Sequence, residues 1–227
     1  MILYDLVNAK RAHFSPNSWR VRLALLHKGI PFEVREVLFG DIPGINPGGD
    51  KLTIPTIAHE GELVTDSWAI VHYLDAAFPD TPVLIAPGAP AHVLKFFQYW
   101  VQTSVHGPIG RLILKDLHDS LDPADQAYFR ASREKMYKAT LEDVQAGREE
   151  RVDAFRKGLQ PMRLALAQHP YIAGEQPGYA DYLAFAGFMW ARISSPFALL
   201  AEDDVVYAWR ERCLDLYGGV ARREPAA

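Results

Sequence analysis

The sequence predicts an α/β domain over residues 1–80 and an all-helical domain over residues 91–227, joined by a linker at 81–90. Short, partly alternating segments typical of strands are confined to the first 80 residues, and Pro and Gly cluster near the linker. Every later apolar segment has helical length and spacing. The chain has 227 residues, of which 49% are hydrophobic and 23% charged, as in globular proteins with a buried core.

The composition excludes several classes of function. A net charge of −4 offers no broad positive field for phosphate backbones, so we expect no nucleic-acid partner. The longest apolar runs are too short to cross a bilayer, and no basic leader precedes the first strand, so we expect no membrane partner. A single cysteine, Cys213, forms no internal disulfide, and the histidines lack metal-ligand spacing. These features predict a cytoplasmic protein without a metal site.

The first 80 residues contain six predicted elements in the order βαβ followed by ββα. The elements are strands at 2–6 and 32–38 around a helix at 19–28, then strands at 56–59 and 63–65 and a helix at 66–78. A strand, a helix and a strand within about 40 residues imply a right-handed crossover and a parallel pair. This order predicts a thioredoxin-like fold.

The remainder of the chain is predicted to be helical throughout. The helical segments lie near 91–117, 124–148, 150–168, 179–193 and 203–217. Within the second segment, Glu134 and Lys138 are four residues apart, as are Lys138 and Glu142, which favours one continuous helix with an exposed charged face.

A turn rich in hydroxyl groups precedes the first helix at Ser15-Pro16-Asn17-Ser18. Ser15 suits an N-cap and Pro16 the first helical position, so capping alone explains both residues. In a thioredoxin-like fold two cysteines at this turn carry redox chemistry, and serine at both positions excludes that reaction. A serine hydroxyl beside free helix amides also donates to an anion, such as the thiolate of a bound cofactor.

Two further motifs belong to the same predicted domain. Pro55 directly precedes a strand, where it suits a turn or an edge position. In this fold we expect the Ile54–Pro55 bond to be cis, with the Ile54 backbone turned toward the Ser15 helix end. Asp66-Ser67 opens the next helix either as a cap or as a site for the ammonium and carboxylate of an amino-acid head group.

In order and spacing, these three motifs resemble the serine, cis-proline and γ-glutamyl motifs of glutathione transferases. The segments FSPNSWRVRLALLHKG, VTDSWAIVHYLDAAFPDTP and YFRASREKM are similar to those of bacterial lignin β-etherases and fungal etherase-related transferases. The resemblance covers most of the chain and weakens after about residue 195. It implies that glutathione lies extended across the first domain.

The resemblance also implies roles around the glutathione sulfur. Ser15 would donate a hydrogen bond to the sulfur and favour the thiolate. Asn17 would orient the sulfur or the second substrate. Ser18 is the alternative to Ser15, but at the third helical position its side chain is expected to point away from the sulfur.

Other residues are implied to hold the rest of glutathione. Ile54, before the cis Pro55, would pair with the cysteinyl backbone, and Asp66 and Ser67 would hold the γ-glutamyl end. Lys51 would reach the glycyl carboxylate, or it is simply a solvated loop lysine.

The implied reaction is attack of the thiolate on an electrophilic, aromatic acceptor by a homodimer, with β-aryl ethers among the substrates. We expect the acceptor pocket between loop 8–14 and the helix near Tyr99, Trp100 and Thr103. A carrier of aromatic metabolites that keeps the glutathione site but has little turnover is the alternative. An interaction module is disfavoured, because the three site motifs are intact.

One position departs from the family pattern. Transferases usually begin a long helix of the second domain with Ser or Thr three residues before Asp, which forms a capping box. Here Gly178 stands three residues before Asp181. Gly at an N-cap costs only a few tenths of a kcal/mol relative to Ser, so the helix is still predicted.

Overall fold

A four-stranded mixed sheet lies in the first part of the computed structural model, which describes residues 1–227. The strands are β1 (Ile2–Leu6), β2 (Glu33–Val37), β3 (Thr56–His59) and β4 (Glu62–Thr65). The sheet has the order β2-β1-β3-β4, with β1 and β2 parallel and the other pairs antiparallel. The helices of this part are α1 (Pro16–His27), α2 (Ile42–Ile45) and α3 (Ser67–Ala77), and a 3-10 turn covers Phe39–Asp41. The predicted thioredoxin-like order is confirmed.

Helix α1 begins where the capping pattern predicts. Ser15 has extended backbone angles, and Pro16 takes the first helical position, where a missing N–H has no consequence. The helix ends at His27, and Gly29 follows with a φ of +66°, which glycine adopts without steric cost. Its buried face, which includes Trp19, packs against helices of both parts of the chain. The start of α1 is therefore held rigidly.

The second part is helical, as predicted. Its elements are α4 (Ala89–Val101), a π-helical segment (Gln102–His106), α5 (Gly107–Ser120), α6 (Pro123–Tyr137), α7 (Leu141–Gln145), α8 (Arg148–Gly158), α9 (Gln160–Leu166), α10 (Tyr179–Ser194), α11 (Val205–Leu214) and α12 (Leu216–Gly219). Helix α10 lies at the centre and is buried along most of its length, where it packs against α1, α4 and α5. None of the helices is both long enough and apolar enough to span a lipid bilayer.

The prediction of one helix over 124–148 is wrong. Helix α6 ends at Tyr137, because Lys138 adopts a left-handed conformation with φ of +54°. Thr140 then starts α7 by accepting the Asp143 N–H on its side-chain oxygen at 3.1 Å. A capping residue inside the segment thus outweighs the helical spacing around it.

The expected charge pairs of Lys138 are also absent. Glu134 and Glu142 both bind Arg130 instead, at 2.8 Å and 2.9 Å. The pair between Arg130 and Glu134 has the four-residue spacing within α6, whereas Glu142 reaches it across the break. These ion pairs therefore connect α6 to α7 and are not confined to one helix.

Helix α10 forms despite the glycine at its N-cap. A Cβ atom at Gly178 would lie 2.8 Å from the Cβ of Ala173, so the usual Ser or Thr does not fit here. Asp181 is fully buried, and its carboxylate accepts the N–H groups of Ile172 at 2.8 Å and of Gly178 at 3.1 Å. The indole of Trp209 donates to the same carboxylate at 2.8 Å. Asp181 therefore still bonds the N-cap backbone, as in a capping box, and it also accepts hydrogen bonds from Ile172 and Trp209, which lie outside the helix start.

Candidate active site

The strand register brings the three predicted motifs to one edge of the sheet. In the antiparallel ladders, Thr56 lies opposite Tyr4 on β1 and opposite Thr65 on β4. Pro55 comes just before β3, and Asp66 just after β4. The loop after β1, which leads to α1, leaves the sheet at this same edge. Residues far apart in the sequence thus lie at the same edge of the sheet.

Ser15 occupies the start of α1 with its hydroxyl at the helix amides. Its Oγ accepts the Ser18 N–H at 3.3 Å, and the residue is 5% exposed. The first turn of α1 contains no acidic residue, so no side chain of that turn offsets the positive end of the helix dipole. Asn17, on the same turn, is exposed. This arrangement favours an anion beside Ser15.

Ser18, the alternative to Ser15, has different surroundings. It is fully buried, and its hydroxyl lies beside the carboxyl group of Asp5 inside the protein. Burial raises the pKa of Asp5 to about 6. The hydroxyls of Ser15 and Ser18 therefore belong to different environments, one at the edge of the site and one beneath it.

The Ile54–Pro55 peptide bond is cis, as expected for this fold. The Ile54 N–H and C=O have no hydrogen-bond partner within the chain, although the residue is only 9% exposed. Such unpaired backbone groups are available to an extended peptide. The site therefore fits a peptide-like ligand such as glutathione.

Two threonines that the sequence analysis did not single out fix this segment. The Thr53 N–H donates to Thr65 Oγ1 at 3.0 Å, and that hydroxyl donates to the Thr53 carbonyl at 2.8 Å. Because Thr65 ends β4, these bonds tie the segment before Pro55 to the residue before Asp66. The pairing of two distant threonines follows from the sheet register, which the sequence does not specify at residue level.

Asp66 and Ser67 open helix α3. Asp66 Oδ1 accepts the N–H groups of Trp68 and Ala69, each at 3.0 Å. The Asp66 backbone has a φ of +74°, a strained conformation for a residue with a Cβ atom, and strain of this kind is common at ligand sites. The Asp66 side chain is exposed, while Ser67 is buried. The second carboxylate oxygen of Asp66 thus remains open to a cationic group.

A cavity of about 680 Å³ adjoins the cis-proline motif at Ile54, whereas Ser15 and Asp66 are not among its lining residues. Lys51 and Ile54 line one side, Leu6 lies at the end of β1, and Phe39 and Tyr128 supply aromatic rings. The two rings contact each other with centroids 5.6 Å apart. Lys51 is exposed at the rim, where it can meet a carboxylate.

The residues expected around the acceptor pocket lie apart from this cavity. Tyr99, Trp100 and Thr103 do not line the cavity beside Ile54. Tyr99 is 55% exposed on α4, and the Thr103 hydroxyl donates to the Tyr99 carbonyl at 2.9 Å. The run of aromatic residues predicted a helix with rings on several sides, but it did not specify which side meets the cleft.

Asp125 on α6 fixes the position of Phe39 at the wall of the cavity. Its buried carboxylate accepts the N–H groups of Phe39 at 2.9 Å and of Gly40 at 3.4 Å. Burial raises the pKa of this carboxyl group. This contact between α6 and the 3-10 turn holds Phe39 beside Tyr128, and Phe14 packs on Phe39 with ring centroids 6.3 Å apart. Nothing local in the sequence indicates such a contact.

Two family models match the chain. The model described as the C-terminal domain of glutathione S-transferase matches residues 93–209, and the one described as the N-terminal domain matches residues 14–77. The chain therefore belongs to the glutathione S-transferase family. Members use glutathione as co-substrate, bind electrophilic substrates and usually dimerise, so the prediction of glutathione is confirmed.

Solved structures and curated proteins agree with this assignment. Glutathione transferase GSTFuA2 from Phanerochaete chrysosporium is 29% identical, with a TM-score of 0.76 over 100% of this chain and 98% of its own. A transferase of Ceriporiopsis subvermispora in complex with glutathione is 25% identical, with a TM-score of 0.74 over 98% and 94%. Glutathione S-transferase U22 of Arabidopsis thaliana is 26% identical over 88% of this chain and 82% of its own length.

Proposed function

We propose that this protein is a glutathione transferase in which Ser15 stabilises the glutathione thiolate for attack on an electrophilic carbon of an aromatic acceptor. One observation carries the proposal. The Ser15 hydroxyl lies at the start of α1, whose first turn has no acidic side chain, at the sheet edge where the Ile54 backbone is unpaired.

Ser15 acts here as a hydrogen-bond donor and not as a base. Its hydroxyl and the amides at the start of α1 interact more favourably with a thiolate than with a thiol, so they lower the pKa of the bound sulfhydryl group. Each unit by which that pKa falls corresponds to about 1.4 kcal/mol of preference for the thiolate. Asn17, exposed on the first turn, orients the sulfur or the acceptor.

The remaining motifs hold the glutathione backbone. The N–H and C=O of Ile54 pair with the cysteinyl residue, and Pro55 presents them by its cis bond. Asp66 binds the γ-glutamyl ammonium, and the Ser67 hydroxyl binds the adjacent carboxylate. Lys51 binds the glycyl carboxylate across the cavity rim.

The acceptor lies in the cavity against Phe39 and Tyr128, whose rings suit an aromatic substrate. The resemblance of the chain to lignin β-etherases and etherase-related transferases adds β-aryl ethers to the proposed substrates. In that reaction the thiolate forms a sulfur–carbon bond, the carbon–oxygen bond breaks, and a phenolate leaves and takes up a proton from water.

We also propose that the chain divides into two domains at the 81–90 linker, forms a homodimer and is located in the cytoplasm. Val93, Phe96 and Tyr99 are large apolar residues exposed on α4, which supports this face as the place where two copies meet. Size-exclusion chromatography of a Phe96→Glu variant tests the dimer, which this charge is expected to weaken.

The activity is tested with glutathione, an activated aryl chloride and a model β-aryl ether. We expect thioether formation well above the solution rate, one phenol released per thioether from the ether substrate, and loss of both activities in Ser15→Ala. Ser18→Ala is the matched control and is expected to stay active. Tight binding of the aromatic compounds with no rate above solution would support the carrier instead. Loss of activity in Ser18→Ala alone would transfer the catalytic role to Ser18.

A further inference from the structure

Segment 221–227 packs on the loop that leads into the proposed active site. Glu224, on this segment, is 9% exposed. Its Oε1 accepts the His13 backbone N–H at 2.7 Å and contacts His13 Nδ1 at 2.8 Å. Its Oε2 lies 3.6 Å from Arg22 Nη1 on α1. One carboxylate therefore contacts both the loop before Ser15 and the helix after it.

His13 controls the backbone that enters α1. It stands two residues before Ser15, and its carbonyl accepts the Trp19 indole N–H at 2.6 Å. The other end of loop 8–14 is fixed separately, since the Ala9 N–H donates to the Ser120 carbonyl at 3.0 Å. The loop also closes on itself through a β-bridge between Val7 and His13, so Glu224 and Trp19 are the contacts that reach the His13 end from outside the loop.

The Glu224 side chain is not needed to hold its own segment. Arg192 donates to the Glu224 carbonyl at 2.7 Å and to the Arg222 carbonyl at 3.2 Å. The Ala227 N–H donates back to the Arg192 carbonyl at 3.0 Å. A change confined to the Glu224 carboxylate therefore alters the loop contact and leaves the segment attached.

The polar groups beneath the loop form a buried cluster in which several atoms lack a hydrogen-bond partner. Asp5 is fully buried and neither of its carboxyl oxygens has a hydrogen-bond partner, and Arg22 Nε and His13 Nε2 are also unpaired. Although burial alone would raise it, the hydrogen bonds from His13 lower the pKa of Glu224, so this group carries a charge. Buried charges are commonly less stabilising than apolar side chains of similar size. A role in fixing the loop geometry accounts for their presence.

We propose that Glu224 is a positioning residue for Ser15: by holding His13 it fixes the backbone that enters α1 and so directs the Ser15 hydroxyl toward the glutathione sulfur. The inference rests on the proposed role of Ser15. It predicts that Glu224 affects the activation of bound glutathione more than its affinity.

The test compares Glu224→Met and Glu224→Ala, which both lack the acceptor oxygens, with Glu36→Gln. Glu36 forms an exposed ion pair with Arg11 on the same loop, and exposed pairs of this kind contribute little. The first measurement is the NMR signal of the Trp19 indole N–H, assigned by its loss in Trp19→Phe. The others are the pKa of the bound glutathione thiol and the kcat and KM for glutathione.

We expect both Glu224 variants to shift the Trp19 signal, raise the pKa of the bound thiol and lower kcat by about 10- to 100-fold, with KM for glutathione nearly unchanged. Glu36→Gln should match wild type in all three measurements. If Glu224→Ala unfolds, Glu224→Met decides, because it keeps the length of the side chain but removes both acceptor oxygens.

Unchanged kcat and thiol pKa in the Glu224 variants overturn the inference, provided that Ser15→Ala in parallel raises the thiol pKa. If Ser15→Ala has no effect on that pKa, the proposed role of Ser15 fails and the inference fails with it. A rise in KM alone, with kcat intact, also overturns the inference, because Glu224 would then affect only glutathione binding.

Discussion

Helices α1 and α3 begin at the same edge of the sheet, each with a capping side chain, but the two caps differ. Ser15 accepts one amide at 3.3 Å, is neutral and is nearly buried. Asp66 accepts two amides at 3.0 Å, has a left-handed backbone and is exposed. The same structural task is performed weakly at one helix start and strongly at the other.

The difference explains how one edge can hold opposite charges. A neutral, weak cap leaves the positive end of α1 available to an anion, which suits a thiolate. The charged Asp66 cap offsets the positive end of α3 and keeps a free oxygen for a cation, which suits an ammonium group. The start of α1 would then stabilise the reacting thiolate, and the start of α3 would bind the ammonium group of glutathione.

The largest expected effect is the loss of activity in Ser15→Ala. Removal of a single hydrogen-bond donor to a developing or bound anion commonly lowers kcat by about 10²- to 10³-fold. Stability should fall by only about 0.5–1 kcal/mol, because the cap bond is long. Steady-state kinetics and urea unfolding of the same preparation measure the two effects. A loss of stability without a loss of activity would show that Ser15 only caps α1 and has no catalytic role.

The next effect concerns Asp5, the buried acid beneath the start of α1, which has no counterpart beneath α3. Its pKa is about 6 in the folded protein, whereas the ordinary value for an aspartic acid is 3.8. At a pH between these two values, the folded state keeps a proton that the unfolded state has released. Stability therefore decreases as the pH rises from about 4 to about 6, by on the order of 2–3 kcal/mol. Unfolding of Asp5→Asn across this range should lack that decrease. An equal decrease in the variant would assign it to other groups.

At α3, Asp66→Asn separates binding from capping. Asn remains an effective cap and tolerates positive φ, so stability should change by less than about 0.5 kcal/mol. Loss of the charge should weaken glutathione binding by about tenfold, as measured by calorimetry. Asp66→Ala should bind as poorly and also lose about 1–2 kcal/mol of stability. Full affinity in Asp66→Asn would show that this helix start only caps.

The smallest effect is expected at Thr65, whose hydroxyl links the segment before Pro55 to the start of α3. Thr65→Val keeps the side-chain shape but removes the hydroxyl that bonds the Thr53 N–H and carbonyl. We expect a loss of about 1 kcal/mol in the free energy of unfolding and a small rise in the glutathione dissociation constant. Thr103→Val, whose hydroxyl bonds only its own helix, is the control. If both variants change the free energy of unfolding and the glutathione dissociation constant equally, Thr65 does not align the site.

Features encoded locally could be predicted from the sequence. Alternation and turn residues predict the strands and their order, and Ser15 followed by Pro16 predicts the start of α1. The left-handed Gly29 follows from its place after a basic last turn. The cis bond at Pro55 was predictable only through the fold, because the dipeptide itself favours the trans form.

Features created by long-range contacts could not be predicted. Phe39 lines the cavity because Asp125, distant in sequence, bonds to its backbone, and Glu224 reaches His13 from the far end of the sequence. The break at Lys138 was missed for another reason, since its charged spacing resembles that of a helix while Thr140 offers a competing cap. The residues that surround the motifs therefore required the structure.

The role proposed for Ser15 at the start of α1 is to stabilise the thiolate of bound glutathione. Its most direct test is a titration of the thiolate absorbance of bound glutathione against pH, for wild type and Ser15→Ala at saturating protein. We expect the pKa of the bound thiol to lie well below that of free glutathione, and to return most of the way toward the free value in Ser15→Ala. A depressed pKa that is identical in both proteins, or none in wild type, would contradict it.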